Sequence, residues 1–263
     1  MSNHTNERTT TNKILAGKVA LVTGGSRGLG VAIAYALANE GADVAVSYVS
    51  SADKANAVVR DIEKEKKLGV HAAAFQADQG DPSQAEGLIQ SVVERFGRLD
   101  ILVNNAAVAW QGKTIDSPEI DNAAMDRQWA INVTGVVANI RAAVKAMREG
   151  GRVISIGSGL ATRAGFPGLA DYAGTKAAIV GYSKGAARDL APRSITVNVI
   201  QAGLMDTDMF APFKEAAPVL FSTLAIQRYA KLEEVAAGVV FLASPAASYI
   251  TGAVIDIEGG YSA

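Results

Sequence analysis

The chain has 263 residues, 49% hydrophobic and 19% charged, which is enough apolar material for one large domain with a buried core and too much for global disorder. Its 25 basic and 26 acidic residues leave a formal net charge of −1, so the total charge carries no footprint for nucleic acid or an anionic membrane. Cysteine is absent and the only histidines are His4 and His71, which removes thiol nucleophiles, zinc–thiolate centres, disulfides and histidine-based triads or metal cages.

Residues 1–13 are polar, rich in Thr and Asn, and read as a flexible leader with neither a signal-peptide core nor a transit-peptide pattern. From there short Val/Ile-rich runs alternate with longer Ala-rich amphipathic stretches. A strand at 19–23 is followed by a helix at 30–39, and a strand at 43–48 by a helix at 54–67. A strand at 70–76 leads to a helix at 82–96, with Asp81 and Pro82 as cap and first-turn residue. Then come a strand at 101–104 and a helix at 122–148, a strand at 152–156 and a helix at 172–190. A strand at 195–200, a helix at 233–242 and a strand at 253–257 complete the series.

This alternation predicts parallel strands joined by crossover helices, a single doubly wound α/β domain over 14–263. The least regular piece, 204–227, mixes Met209, Phe210, Phe213 and Phe221 with two prolines. It reads equally as a packed surface helix and as a lid over a substrate cleft. No charge-free apolar run reaches the ~18 residues of a membrane span, so the expectation is a cytoplasmic protein without membrane or nucleic-acid partners.

The turn after the first strand, Thr23-Gly24-Gly25-Ser26-Arg27-Gly28-Leu29-Gly30, runs straight into an Ala-rich helix. Glycines at 24, 28 and 30 permit a tight turn and close approach of a pyrophosphate to the helix N-terminus; the alternative is a purely structural turn. A site for NADH usually has a carboxylate at the end of the second strand. Here that end reads Tyr48-Val49-Ser50-Ser51, and with Arg27 nearby a 2′-phosphate would meet a cation and hydroxyls. The expected cofactor is therefore NADPH rather than NADH, unless Arg27 is only a solvated turn residue. Asp78 and Gln79 follow the third strand, and Asn104-Asn105-Ala106-Ala107 the fourth, at the strand ends where parallel sheets bind ligands. Taken singly, each reads as well as a loop cap.

Lys176 follows Tyr172 by four residues, which puts phenol and ammonium on one helical face. Using a phenol of ordinary pKa about 10 near neutrality takes roughly 3–4 kcal/mol of help from positive charge, which Lys176 can supply. In isolation the pair would read as a helix-surface contact. It gains meaning from Ser158, which emerges from the fifth strand on the same sheet edge as the glycine turn and is placed to hydrogen-bond a carbonyl, whereas Ser155 reads as packed.

Together these ordered motifs, with Asn132, Gly203, Thr207 and Gly252, resemble the short-chain dehydrogenase/reductase family over almost everything from Gly17 onward, particularly its 3-oxoacyl-carrier-protein-reductase-like branch. The resemblance implies a Rossmann-like fold with seven parallel strands, a homotetramer, and a catalytic tetrad of Asn132, Ser158, Tyr172 and Lys176. It assigns Tyr172 the proton, Ser158 the carbonyl, Lys176 the phenol and nicotinamide ribose, and Asn132 a water relay. It places Asp78 by adenine, Asn104 and Ala106 by the adenosine half, and Gly203, Met205 and Thr207 by the nicotinamide, although Thr207 also reads as a loop cap. Ser158, Tyr172, Met205, Met209 and Phe210 are the expected substrate contacts, with Trp110, Phe166 and Phe213 as further apolar wall.

Three departures bear on substrate shape. Ser158 stands one residue further from Tyr172 than is common in the family, NNAA replaces NNAG, and Ala202 replaces the usual proline before Gly203, which is expected to loosen the following loop. The expected activity is reversible, NADPH-dependent reduction of a ketone or 3-oxoacyl carbonyl. The alternative from another class is a nucleotide-binding sensor or scavenger with incidental turnover.

Overall fold

The computed structural model describes residues 13–65 and 69–263; the expected leader up to residue 12 and the expected helix end at 66–67 lie outside them. Seven strands form one sheet in the order β3-β2-β1-β4-β5-β6-β7. They are β1 Val19–Val22, β2 Asp43–Tyr48, β3 Ala72–Gln76, β4 Ile101–Asn104, β5 Arg152–Ser158, β6 Thr196–Ala202 and β7 Val254–Ile257. Every pairing is parallel, which the crossover connections require.

The strands read as unbroken apolar runs because both faces are covered. Alternate residues serve opposite cores. Ala20, Val22, Val44 and Val46 pack with Ile33 and Leu37 of α1 (Gly28–Asn39), Val58 and Ile62 of α2 (Ala52–Lys64), and Val235 and Val239 of α8 (Leu232–Ala243). Val19, Leu21, Ala45 and Leu102 pack with Leu88 and Val92 of α3 (Gln84–Phe96), Ile140 of α5 (Gly135–Ala146) and Ile179 of α6 (Ala170–Leu190). Because the chain leaves β1 toward β2 and β3 and then returns to β4 on the other side, a crevice opens beyond the carboxyl ends of β1 and β4.

Several boundaries differ from expectation. Helix α3 begins at Gln84, because Asp81 folds its carboxylate onto the Ser83 amide and hydroxyl and the Gln84 side chain, holding 81–83 as a turn. The helix expected over 122–148 is three pieces: α4 (Asn122–Trp129), a π-turn (Ala130–Thr134) and α5. β5 runs two residues further than predicted, to Ser158. Ala202 is the last residue of β6, buried, in register with Ser158 on one side and Ile257 on the other. Segment 204–227 holds a 3₁₀ turn (Ala211–Ala216) and the short α7 (Ala217–Phe221). Among the described residues no helix is long and apolar enough to cross a membrane.

Candidate active site

A cleft of about 940 Å³ lies over the carboxyl edge of the sheet. Its first wall is the turn after β1. Gly24 has φ +66°, and a Cβ there would stand 2.9 Å from the Ala106 Cα, so only glycine lets this turn close against the segment after β4. Thr23 Oγ1 accepts from the amides of Asn105 and Ala106 at 3.1 and 3.0 Å, and Asn105 Nδ2 donates to the Thr23 carbonyl at 2.9 Å. Helix α1 then starts at Gly28 with no side-chain cap from Arg27 and no acidic residue in its first turn. Its free N–H groups and positive dipole end suit a pyrophosphate, and the glycine cradle fits one without a side chain in the way.

Gly24, Ser26, Arg27, Gly28, Leu29 and Gly30 all line this cleft, as do Tyr48, Ser50 and Ser51 beyond β2. No carboxylate stands between Tyr48 and Ser51, and Ser50, Ser51 and Arg27 supply hydroxyls and a cation to this end of the cleft. Asp78, Gln79, Ala106, Gly203, Met205 and Thr207 also reach the cleft. The Gln79 amide is spoken for: its Nε2 donates to the Ala106 and Ile131 carbonyls at 2.7 and 2.9 Å and its Oε1 accepts from Asn139.

Asn104, expected beside the adenosine half, is the last residue of β4, 2% exposed, with Nδ2 turned to Ser155 Oγ, and is not among the residues lining the cleft. Strand alternation sends Asn105 there instead. Asn132, the expected fourth member of the tetrad, sits in the π-turn. Buried in the π-turn and behind the cleft wall, it grips the main chain of Val108 from both sides, Oδ1 accepting from its N–H at 3.0 Å and Nδ2 donating to its carbonyl at 2.9 Å. Sequence reasoning also missed Thr23, Asn105 and Arg127, whose partners lie dozens of residues away; only the neighbouring glycine turn and NNAA run hinted at the first two.

Ser158, Tyr172 and Lys176 do come together. Ser158 ends β5, and Tyr172 and Lys176 sit on successive turns of α6, all three on the cleft wall. Burial pushes the Tyr172 phenol up to about 12, while the neighbouring Ser158 hydroxyl pulls the other way. Lys176 Nζ lies 5.6 Å from the Tyr172 ring centroid and donates to the Ile156 carbonyl at 3.0 Å. Burial draws its ammonium down to about 8. A neutral phenol and a serine hydroxyl thus converge beside a lysine that gives up its proton near pH 8, an arrangement able to hydrogen-bond and protonate one oxygen atom. Trp110, Phe166, Met209, Phe210 and Phe213 line the remaining side of the same cleft.

Comparison with known proteins gives the same picture. The family model described as enoyl-(acyl carrier protein) reductase matches residues 24–262. The 3-oxoacyl-(acyl-carrier-protein) reductase FabG of Staphylococcus aureus is 39% identical over 246 residues, covering 92% of this chain and 97% of the relative. A short-chain dehydrogenase from Burkholderia cenocepacia, solved in complex with NADP, is 45% identical with a TM-score of 0.88, covering 95% of this chain and 100% of that one. A blue fluorescent protein from a metagenomic library, solved with NADPH, is 41% identical with a TM-score of 0.90 at 95% and 100% coverage. The chain therefore belongs to the short-chain dehydrogenase/reductase family of oxidoreductases and is related to its 3-oxoacyl-(acyl-carrier-protein) reductases.

Proposed function

We propose that the protein is an NADPH-dependent carbonyl reductase that converts a ketone to a secondary alcohol, reversibly. The observation that carries this reading is the meeting of Ser158, Tyr172 and Lys176 on the wall of the cleft that also holds the glycine turn. Bound there, NADPH supplies the hydride. The glycine turn and the first turn of α1 hold its pyrophosphate, Arg27, Ser50 and Ser51 its 2′-phosphate, Asp78 its adenine, and Gly203, Met205 and Thr207 its nicotinamide end. Relatives of the chain solved with NADP or NADPH support the choice of cofactor.

Ser158 donates a hydrogen bond to the carbonyl oxygen and Tyr172 protonates it. With its phenol held near 12, Tyr172 carries the proton at every physiological pH, as a donor in the reducing direction must. Lys176 holds the nicotinamide ribose and, when charged, eases the loss of the phenolic proton. Asn132 acts as a positioning residue, fixing the Val108 segment of the wall through both its side-chain atoms. Residues 204–227 cover the substrate side as a lid, anchored where Ala230 N–H donates to the Leu204 carbonyl at 2.8 Å. The same reading makes the enzyme a cytoplasmic homotetramer, for which the wholly exposed Tyr249 and the half-exposed Phe241 of α8 offer apolar contact surface; a stable monomer in light scattering would refute that part.

The test follows NADPH absorbance across a ketone panel with wild type and Tyr172→Phe. Turnover abolished by the substitution is expected. Oxidation that the variant retains would defeat the assignment and favour a binding protein with incidental turnover.

A further inference from the structure

The two halves of the cleft differ in charge. Its cationic lining side chains, among the described residues, are Arg27, Arg127 and Lys176, all on the dinucleotide side. Each already has a partner: Arg27 lies 3.9 Å from Asp208, Arg127 is clasped by Asp78, and Lys176 donates to the Ile156 carbonyl. On the substrate side the wall is Trp110, Phe166, Met209, Phe210, Phe213 and Leu220. The charged residues accompanying them are acids: Asp206 on the exposed lid and Glu258, only 5% exposed, whose Oε1 accepts from the Ser262 N–H at 2.7 Å; Asp208 stands instead beside Arg27. The nearest lid cation, Lys214, is held by Asp206 at 2.8 Å.

An anion entering this half would shed water against apolar walls and two carboxylates, with no free cation among the described residues to receive it. An uncharged ketone pays neither cost, and its body gains from the aromatic and aliphatic wall. We infer that the substrate is an uncharged ketone with an apolar body, and that the site discriminates against ketones bearing a carboxylate or phosphate close to the carbonyl. This rests on the carbonyl-reductase reading and narrows its substrate class.

Methyl 4-acetylbenzoate and 4-acetylbenzoate share a ketone and a ring and differ in charge. With NADPH, kcat/KM for the ester is expected to exceed that for the acid by about a hundredfold. Acid reduced as well as the ester would overturn the inference. Asp206→Asn, which removes one acid and releases Lys214, is expected to raise the acid relative to the ester about tenfold; an unchanged ratio would overturn the charge basis. Calorimetry on Tyr172→Phe loaded with NADPH reads binding apart from turnover. Binding of the ester alone supports the inference, and equal binding, or none by either compound, overturns it. If wild type reduces neither compound while the ester alone binds, the reduction reading falls and the ligand class stands.

Discussion

The Arg127 guanidinium reaches from α4 to the Asp78 carboxylate, its Nη2 lying 2.6 and 2.5 Å from the two oxygens, across 49 residues of chain. Asp78 Oδ1 also accepts the Gly80 N–H at 2.8 Å, and the guanidinium occupies the space where any side chain at Gly80 would stand. The fork therefore orients the carboxylate at the expected adenine end of the cleft. Arg127→Met should raise KM for NADPH about tenfold and leave kcat within about twofold, because only cofactor positioning is lost. Initial-rate kinetics at saturating ketone decide it; a fall in kcat with KM unmoved would contradict the assignment.

Lys176 makes stability depend on pH in a definite direction. Below pH 8 it is charged in both folded and unfolded chains, and its burial costs the folded state about 3 kcal/mol. Between about 8 and the ordinary lysine value of 10.5 the folded chain has released the proton and the unfolded chain has not, so stability climbs with pH. Tyr172 is neutral in both states below its ordinary 10 and contributes only above it, where folded stability falls toward about 12. Calorimetric scans of the cofactor-free protein should show Lys176→Met more stable than wild type at pH 7, the gap closing as pH rises from 8 to 10. A gap constant over that range would sink the argument.

How much of this was legible in the sequence depended on distance along the chain. β2 and β4 are found at their predicted bounds because buried parallel strands are short apolar runs with clear ends. Ser158, Tyr172 and Lys176 were legible because two share a helix face and the third ends a strand. Which of Asn104 and Asn105 lines the cleft was not legible, because the side on which a strand residue emerges depends on register: Asn104 turns toward Ser155 and Asn105 toward the cleft. The π-turn at Ala130–Thr134 was invisible, since an apolar helical pattern does not reveal a local change of hydrogen-bond ring, and here that turn carries the Asn132 grip on Val108. Arg127 gave no signal because its partner is a tertiary neighbour.

Gly30 is the tightest point of the dinucleotide cradle. A Cβ there would collide with the Gly24 carbonyl oxygen and stand 2.7 Å from Asn105 Nδ2, the amide that joins the β1 and β4 ends. Both are held by backbone or by hydrogen bonds and cannot swing aside. Gly30→Ala should destabilise the fold by about 1–3 kcal/mol and weaken NADPH binding at least about tenfold. Thermal melts and fluorescence titration check the two effects; intact cofactor affinity would show that the cradle opens more freely than its packing implies.

In the proposed reading Arg27 decides between the two nicotinamide cofactors, and Asp208 competes for it. The pair lies at 3.9 Å with side chains 65% and 70% exposed, so the ion pair itself contributes little stability and is easily exchanged for a doubly charged phosphate. Arg27→Ala removes the cation from the 2′-phosphate end of the cleft and should cut kcat/KM for NADPH by about ten- to a hundredfold, with NADH changed less than about threefold. Asp208→Ala removes the competitor and should move NADPH affinity the opposite way. Both effects should shrink as salt is raised, since the groups are exposed and the screening length falls to about 3 Å at 1 M. Steady-state kinetics with each cofactor at two salt concentrations give the full comparison. Equal loss for NADPH and NADH in Arg27→Ala would make this residue a general phosphate anchor and leave the preference to Ser50 and Ser51.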